Sequence, residues 1–262
     1  MVLTSAQTFQ LSPPSVRPSR PSVTVSSHCF AISPRKPHAF FGAARYPSRC
    51  RGSDVVGRTV RMVARASTSQ YSANIAEDLA DVSIFTAAGE PVMFKDLWNQ
   101  NEGIAVVVLL RHFGCPCCWE LASALKEYKS KFESAGVKLI AVGVGAPNKA
   151  RILAERLPFP MDCLYADPEC KAYNVLGLYY GFGRTFFNPA SAKVLSRFDA
   201  LREAVKNYSI EATPDDRSGV LQQGGMFVFK GKQLLYARKD EGTGDHAPLE
   251  DVLNICCTAP VA

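Results

Sequence analysis

Ile104-Ala-Val-Val-Val-Leu-Leu110 runs directly into Arg111-His-Phe-Gly-Cys-Pro-Cys-Cys-Trp119. Seven consecutive aliphatic residues read as a strand buried on both faces, the pattern of an interior parallel strand. Beyond Cys118 the period changes. Leu121, Leu125, Tyr128 and Phe132 step by four, three and four, which puts them on one face of a helix. Lys126, Lys129, Lys131 and Glu133 take the wet side, and Gly136 is placed to end the helix in a left-handed cap. Cys115-x-x-Cys118 therefore stands where a buried strand hands over to a helix.

The same logic extends outward. Val137–Val144 reads as a second buried strand, Pro147 opens a helix that Pro158 closes, and Met161–Ala166 reads as a short strand. Asp167-Pro168-Glu169 has the pattern of an N-cap, a first-turn proline and an acidic first turn, for a helix running to Gly177. Strands alternating with helices imply βαβ connections and parallel pairing. Upstream, Glu77–Gly89 reads as a short strand and turn, Pro91–Phe94 resumes it, and Asp96–Trp98 starts a brief helix. At the far end, Met226–Phe229 and Gln233–Arg238 around Gly231-Lys232 form a hairpin pattern, and Pro248–Cys257 a final amphipathic helix. A parallel half followed by an antiparallel hairpin and helix predicts an α/β thioredoxin-like fold, with a central mixed sheet flanked by helices. Residues 178–223 do not fit that plan. They read as an insertion before the hairpin, with aromatics at Tyr179, Tyr180, Phe182, Phe186 and Phe187 and a helix near Val194–Asn207.

Charge divides the chain in two. Residues 1–70 carry ten Arg or Lys and one acid, Asp54, whereas the remaining 192 residues carry 20 basic and 23 acidic groups. The basicity belongs to a leader, so the domain presents no positive field for nucleic acid. Twelve Ser and seven Pro before Tyr71 leave that leader too apolar-poor and too donor-poor to form a core. A Ser- and Arg-rich, acid-poor N-terminus without an apolar core segment reads as an organelle transit peptide, and its high Pro content points to plastid. The expected division is a disordered transit peptide over 1–66, cut between Met62 and Ser67, and a thioredoxin-like domain over 67–262 in the chloroplast stroma. The longest aliphatic run is far short of the roughly 20 residues needed to span a membrane. Nine Cys in 262 residues are too few for a disulfide scaffold.

A cysteine at a helix mouth meets free N–H groups and the positive end of the helix dipole, which favour its thiolate. A second cysteine one turn on is close enough to close a disulfide. Arg111 and His112, at the strand end, add positive charge for thiolate stabilisation or peroxide positioning. Two other readings compete. The cluster could hold zinc or an iron–sulfur centre, although no second C-x-x-C supplies the remaining ligands. Alternatively the domain is a redox-inert interaction module, with the aromatic insertion as its binding surface.

Arg111-His-Phe-Gly-Cys-x-x-Cys118, the strand before it, Ala166–Gly177 and Gly244-Asp245-His246 resemble the peroxiredoxin-like 2 family. That family lies within the thioredoxin-like superfamily, beside the alkyl hydroperoxide reductase and thiol-specific antioxidant enzymes, and the resemblance covers about residues 75–257. It implies a thiol–disulfide site at Cys115 and Cys118, with Cys115 as nucleophile and Cys118 as resolving thiol. An alignment that places the peroxidatic cysteine second reverses those roles. It also implies a small peroxide or disulfide substrate and thioredoxin or another dithiol as reductant. No cofactor is called for. The proline that thioredoxins carry before the hairpin strand is absent from Gln223-Gly-Gly-Met226, which favours peroxide over general disulfide reduction.

Asp245 and His246 read as a turn and cap before the last helix, with a Cys–His pair as the alternative. Cys170 and Cys256-Cys257 read as packing residues, and Cys117 has no assigned role. Direct contact of the enzyme with a nicotinamide is not indicated, because Gly143-Val-Gly145 lacks the rest of a dinucleotide fingerprint.

Overall fold

A computed structural model describes residues 68–258. The leader, its cleavage point and the expected boundary at 66/67 lie outside those residues. The sheet has seven strands in the order β2-β1-β5-β4-β3-β6-β7. They are β1 (Ser83–Thr86), β2 (Pro91–Met93), β3 (Ile104–His112), β4 (Val137–Val144), β5 (Leu164–Ala166), β6 (Gly225–Lys230) and β7 (Gln233–Lys239). β3, β4 and β5 run parallel, and β1, β2, β6 and β7 pair antiparallel. This is the mixed sheet of a thioredoxin-like fold.

The aliphatic run builds both halves of the core because a strand alternates its side chains between faces. Val106, Val108 and Leu110 enter one apolar cluster with Leu121, Leu125 and Phe132 of α2 (Pro116–Ser134), Leu153 of α3 (Pro147–Arg156) and Val252 and Ile255 of α7 (Leu249–Thr258). Ala105, Val107 and Leu109 enter another with Leu79 of α1 (Ile75–Ala80) and Tyr173 of α4 (Lys171–Val175). Helices thus cover both faces, and α2 carries its apolar stripe as the periodicity predicts. Gly136 follows α2 with φ +70°, the left-handed geometry expected of it.

Several local expectations change. α1 overlaps the first residues of the stretch read as strand and turn, whose strand is β1, Ser83–Thr86. Met161–Cys163 is a 3-10 turn, and only Leu164–Ala166 pairs as a strand. The brief helix expected at Asp96–Trp98 is a 3-10 turn over Phe94–Asp96. Asp167 does accept helix N–H groups, but from Lys171 and Ala172 at 3.0 and 2.8 Å, so the helix starts later than Pro168. The chain reaches that start through Cys170 at φ +54°, a left-handed bend. Between α4 and β6 lie α5 (Phe182–Phe186), a 3-10 stretch over Pro189–Arg197, α6 (Phe198–Ala204) and shorter 3-10 turns, with no strand of the sheet. Among its aromatics, Phe182, Phe186 and Phe187 stay exposed and pack on one another, with centroids 4.7 and 5.7 Å from Phe182.

Candidate active site

The site begins with an irregularity in β3. Leu109 pairs with Val142 of β4, yet His112 pairs with Val144, so β3 carries one residue more than its partner. The buried Tyr173 hydroxyl donates toward the Leu110 and Val142 carbonyls beside this bulge. Arg111, released from the ladder, points its backbone N–H at Cys118 Sγ, 3.2 Å away. The bulge therefore converts a sheet donor into a sulfur partner.

Cys115 is the N-cap of α2, in extended conformation (φ −88°, ψ 120°), and Pro116 takes the first helical position. The Trp119 indole N–H donates to the Phe113 carbonyl at 2.6 Å, pinning the loop before the cap to the helix after it. Tyr208 adds its hydroxyl to the Gly114 carbonyl at 2.8 Å. A methyl at Gly114 would meet Thr213 Oγ1 at 2.1 Å, so only glycine fits beneath the 208–213 segment.

Three thiols meet at one point. Cys117 and Cys118 both donate hydrogen bonds to the Cys115 sulfur, and Arg111 Nη1 lies 3.3 Å from it. Those thiol donors, then the Arg111 charge, hold Cys115 well below the ordinary thiol range against the opposing effect of burial. Hydrogen bonding to Cys115 first, and burial second, push Cys117 up. Burial first pushes Cys118 up, and burial also drives Cys163, Cys170 and Cys256 up to about 12. One sulfur is thus tuned to be a thiolate while the others remain thiols.

Arg111 is itself locked. Its Nη2 and Nε donate to the Val220 and Gln222 carbonyls at 2.7 and 3.1 Å, so the segment before β6 fixes the guanidinium over the sulfur. His112 lies buried with an unpartnered Nδ1, and burial brings its pKa down to about 4. At neutral pH it is an uncharged neighbour, and the positive charge at Cys115 is that of Arg111.

Asp245 and His246 do not pair with a sulfur. His246 sits in a buried pair with Asp240, Nδ1 to Oδ2 at 3.0 Å, and its Nε2 lies 3.2 Å from the Cys117 carbonyl. Asp245 accepts from Lys193 and Arg238 at 2.6 and 2.7 Å. The Gly244–His246 turn is the wall behind the motif, a role joining positions 129 residues apart that sequence separation hides. Among the described residues, no group of three or more His, Cys, Asp or Glu is arranged to hold a metal ion. None of their helices is long and apolar enough to cross a membrane.

A family model described as AhpC/TSA antioxidant enzyme matches residues 124–242. Thioredoxin-like protein AAED1, chloroplastic, of Arabidopsis thaliana is 34% identical over 185 residues, covering 70% of this chain and 73% of that protein. The chain belongs to the AhpC/TSA antioxidant family. Within this peroxiredoxin-like family, peroxiredoxin-like 2C of Bos taurus is 27% identical over 187 residues, covering 69% and 79% of the two chains. Among solved structures, the peroxidoxin BcpB of Mycobacterium tuberculosis matches with a TM-score of 0.48 and 15% identity, covering 70% and 95%. Family membership implies redox chemistry with a peroxide substrate and a thiol reductant in general terms.

Proposed function

We propose that this protein is a thiol-dependent peroxidase in which Cys115 attacks the peroxide bond and Cys118 resolves the product. The observation that carries this reading is the convergence of the Arg111 guanidinium and two thiol donors on a single sulfur, that of Cys115. A thiolate is the nucleophile in such chemistry, and a buried cation beside it also suits the developing negative charge on the leaving oxygen. Cys115 takes the distal oxygen as a sulfenate and an alcohol or water leaves. The Cys118 thiol then displaces the sulfenate oxygen as water and closes a disulfide, which a dithiol such as thioredoxin reduces. The same asymmetry supports Cys115 over Cys118 as the attacking sulfur, since Cys118 is fully buried and held as a thiol.

Cys115 is 3% exposed, Tyr208 bonds the adjacent Gly114 carbonyl and residues 220 and 222 bond Arg111, so hydrogen peroxide reaches the sulfur more readily than a bulky hydroperoxide. A relative that is chloroplastic by name, together with the Ser- and Arg-rich leader, supports a plastid location, in the stroma after the leader is removed.

The test is to treat the fully reduced chain with one equivalent of hydrogen peroxide and map its cysteines by mass spectrometry. The expected product is a Cys115–Cys118 disulfide, absent from Cys115→Ser. Unchanged motif thiols, or slow oxidation scattered over Cys163 and Cys170, would overturn the reading.

A further inference from the structure

The chemistry proposed above uses two of the three motif sulfurs, yet the third is built into the same contact. Cys117 donates to the Cys115 sulfur as Cys118 does. Its carbonyl is held by His246, which is oriented in turn by Asp240. On its far side a methyl at Gly244 would lie 3.3 Å from Cys117 Sγ and 2.3 Å from Val194 Cγ2, so the turn leaves the sulfur little room to retreat. We propose that Cys117 is a second resolving thiol, which closes a disulfide with Cys115 and presents it to the external dithiol. This rests on the peroxidase reading of Cys115.

Burial gives the two resolving thiols different work. Cys118 is 0% exposed and its sulfur is covered by the Arg111 N–H, so an external thiolate has no line of approach to it. Cys117 is 7% exposed. A cleft of about 310 Å³ lined by Glu120, Leu121, Tyr128, Arg197, His246 and Leu249 opens close by, and its His246 reaches the Cys117 carbonyl at 3.2 Å.

The steps balance. Cys115 thiolate and a hydroperoxide, with one proton, give a sulfenic acid and an alcohol. The Cys117 S–H displaces the sulfenic oxygen, so an S–S bond forms, an S–O bond breaks and water leaves. An external dithiol attacks the Cys117 sulfur and expels Cys115, whose low proton affinity makes it the better leaving thiolate. The second thiol of the reductant then releases Cys117, and the reductant departs as its disulfide. A Cys115–Cys118 disulfide enters the same route when Cys117 attacks Cys115 and frees Cys118.

The experiment compares full-length Cys118→Ala with the double variant Cys117→Ala/Cys118→Ala. Each is given one equivalent of hydrogen peroxide in the presence of dimedone, which traps sulfenic acids. The expected result is a Cys115–Cys117 disulfide in the single variant, with loss of most of the Cys115 dimedone adduct that accumulates in the double variant. Equal adduct in both, with Cys117 still reduced, overturns the proposal and leaves the peroxidase reading standing. No adduct on Cys115 in the double variant overturns the peroxidase reading and this proposal with it. The wild type guards against misfolding of the variants. Rapid quenching during its oxidation should show Cys115 linked to both neighbours, and a Cys115–Cys118 link alone at every time point contradicts the proposal.

Discussion

Replacing Arg111 by Met removes a guanidinium that makes three contacts: Cys115 Sγ at 3.3 Å, the Val220 carbonyl at 2.7 Å and the Gln222 carbonyl at 3.1 Å. A hydrogen bond to a charged group contributes about 1.5–3 kcal/mol. Losing that much from the thiolate form lowers the acid dissociation constant of Cys115 by about ten- to a hundred-fold. The Cys117 and Cys118 donors remain, so the sulfur should stay more acidic than an ordinary thiol. The buried Gln222 carbonyl loses its partner as well, at about 1–3 kcal/mol, and the half-buried Val220 carbonyl loses its own, so the variant should unfold at lower denaturant. The assay is the ultraviolet absorbance of the thiolate titrated with pH, using Cys115→Ser as the blank and circular dichroism to establish the fold. The titration midpoint should rise in Arg111→Met, and the reaction with hydrogen peroxide at neutral pH should slow in step. Arg111→Lys keeps the charge without the fork and should fall between. A folded Arg111→Met with the wild-type midpoint would refute the reasoning and leave Arg111 as a strap for the 220–222 segment alone.

Further predictions concern the surroundings of the sulfur. His112 has a pKa lowered from 6.5 to about 4, so the unfolded chain binds the proton more tightly between those values and stability is lost as pH falls through that window. The shift corresponds to about 3 kcal/mol, and the difference in unfolding free energy between His112→Gln and wild type should change by that much from pH 6.5 to 4. A pH-independent difference would contradict it. Gly244→Ala places a Cβ at φ +76° against Val194 and Cys117, and should cost about 1–3 kcal/mol of stability by denaturant unfolding. Tyr208→Phe loses one hydrogen bond to the Gly114 carbonyl, worth about 0.5–1.5 kcal/mol. Its reaction with a bulky organic hydroperoxide should quicken about two- to tenfold relative to hydrogen peroxide, and an unchanged ratio would show that this contact does not cover the site.

The strand, the helix and the position of the motif between them were legible because two periods meet there, an unbroken aliphatic run and then a stripe at helical spacing. The layering on both faces of β3 follows from the same run. What the residues hid was set by partners distant in sequence. The bulge at Leu110–Arg111 depends on the register of β4, and it alone explains why the Arg111 N–H reaches Cys118. Helical spacing puts positions two apart on opposite faces, which left Cys117 without a role. Cys115, however, is an extended N-cap outside the helix proper, so its sulfur lies over the first turn where thiols from both following positions reach it. The residues after Asp167 misled for a similar reason: the aspartate caps the helix through a left-handed Cys170 instead of through the adjacent proline. Lys193, Arg197 and Arg238 around Gly244–Asp245 are ordinary surface charges in the sequence and become a clamp only in the fold.

The central claim is that the Cys115 thiolate reduces peroxide and is regenerated by a dithiol. The most direct measurement follows hydrogen peroxide consumption by the full chain with thioredoxin and its reductase in excess, beside Cys115→Ser. The account predicts sustained consumption matched by oxidation of the reductant in the wild type, and only the uncatalysed rate in the variant. Equal consumption by the two proteins would contradict it.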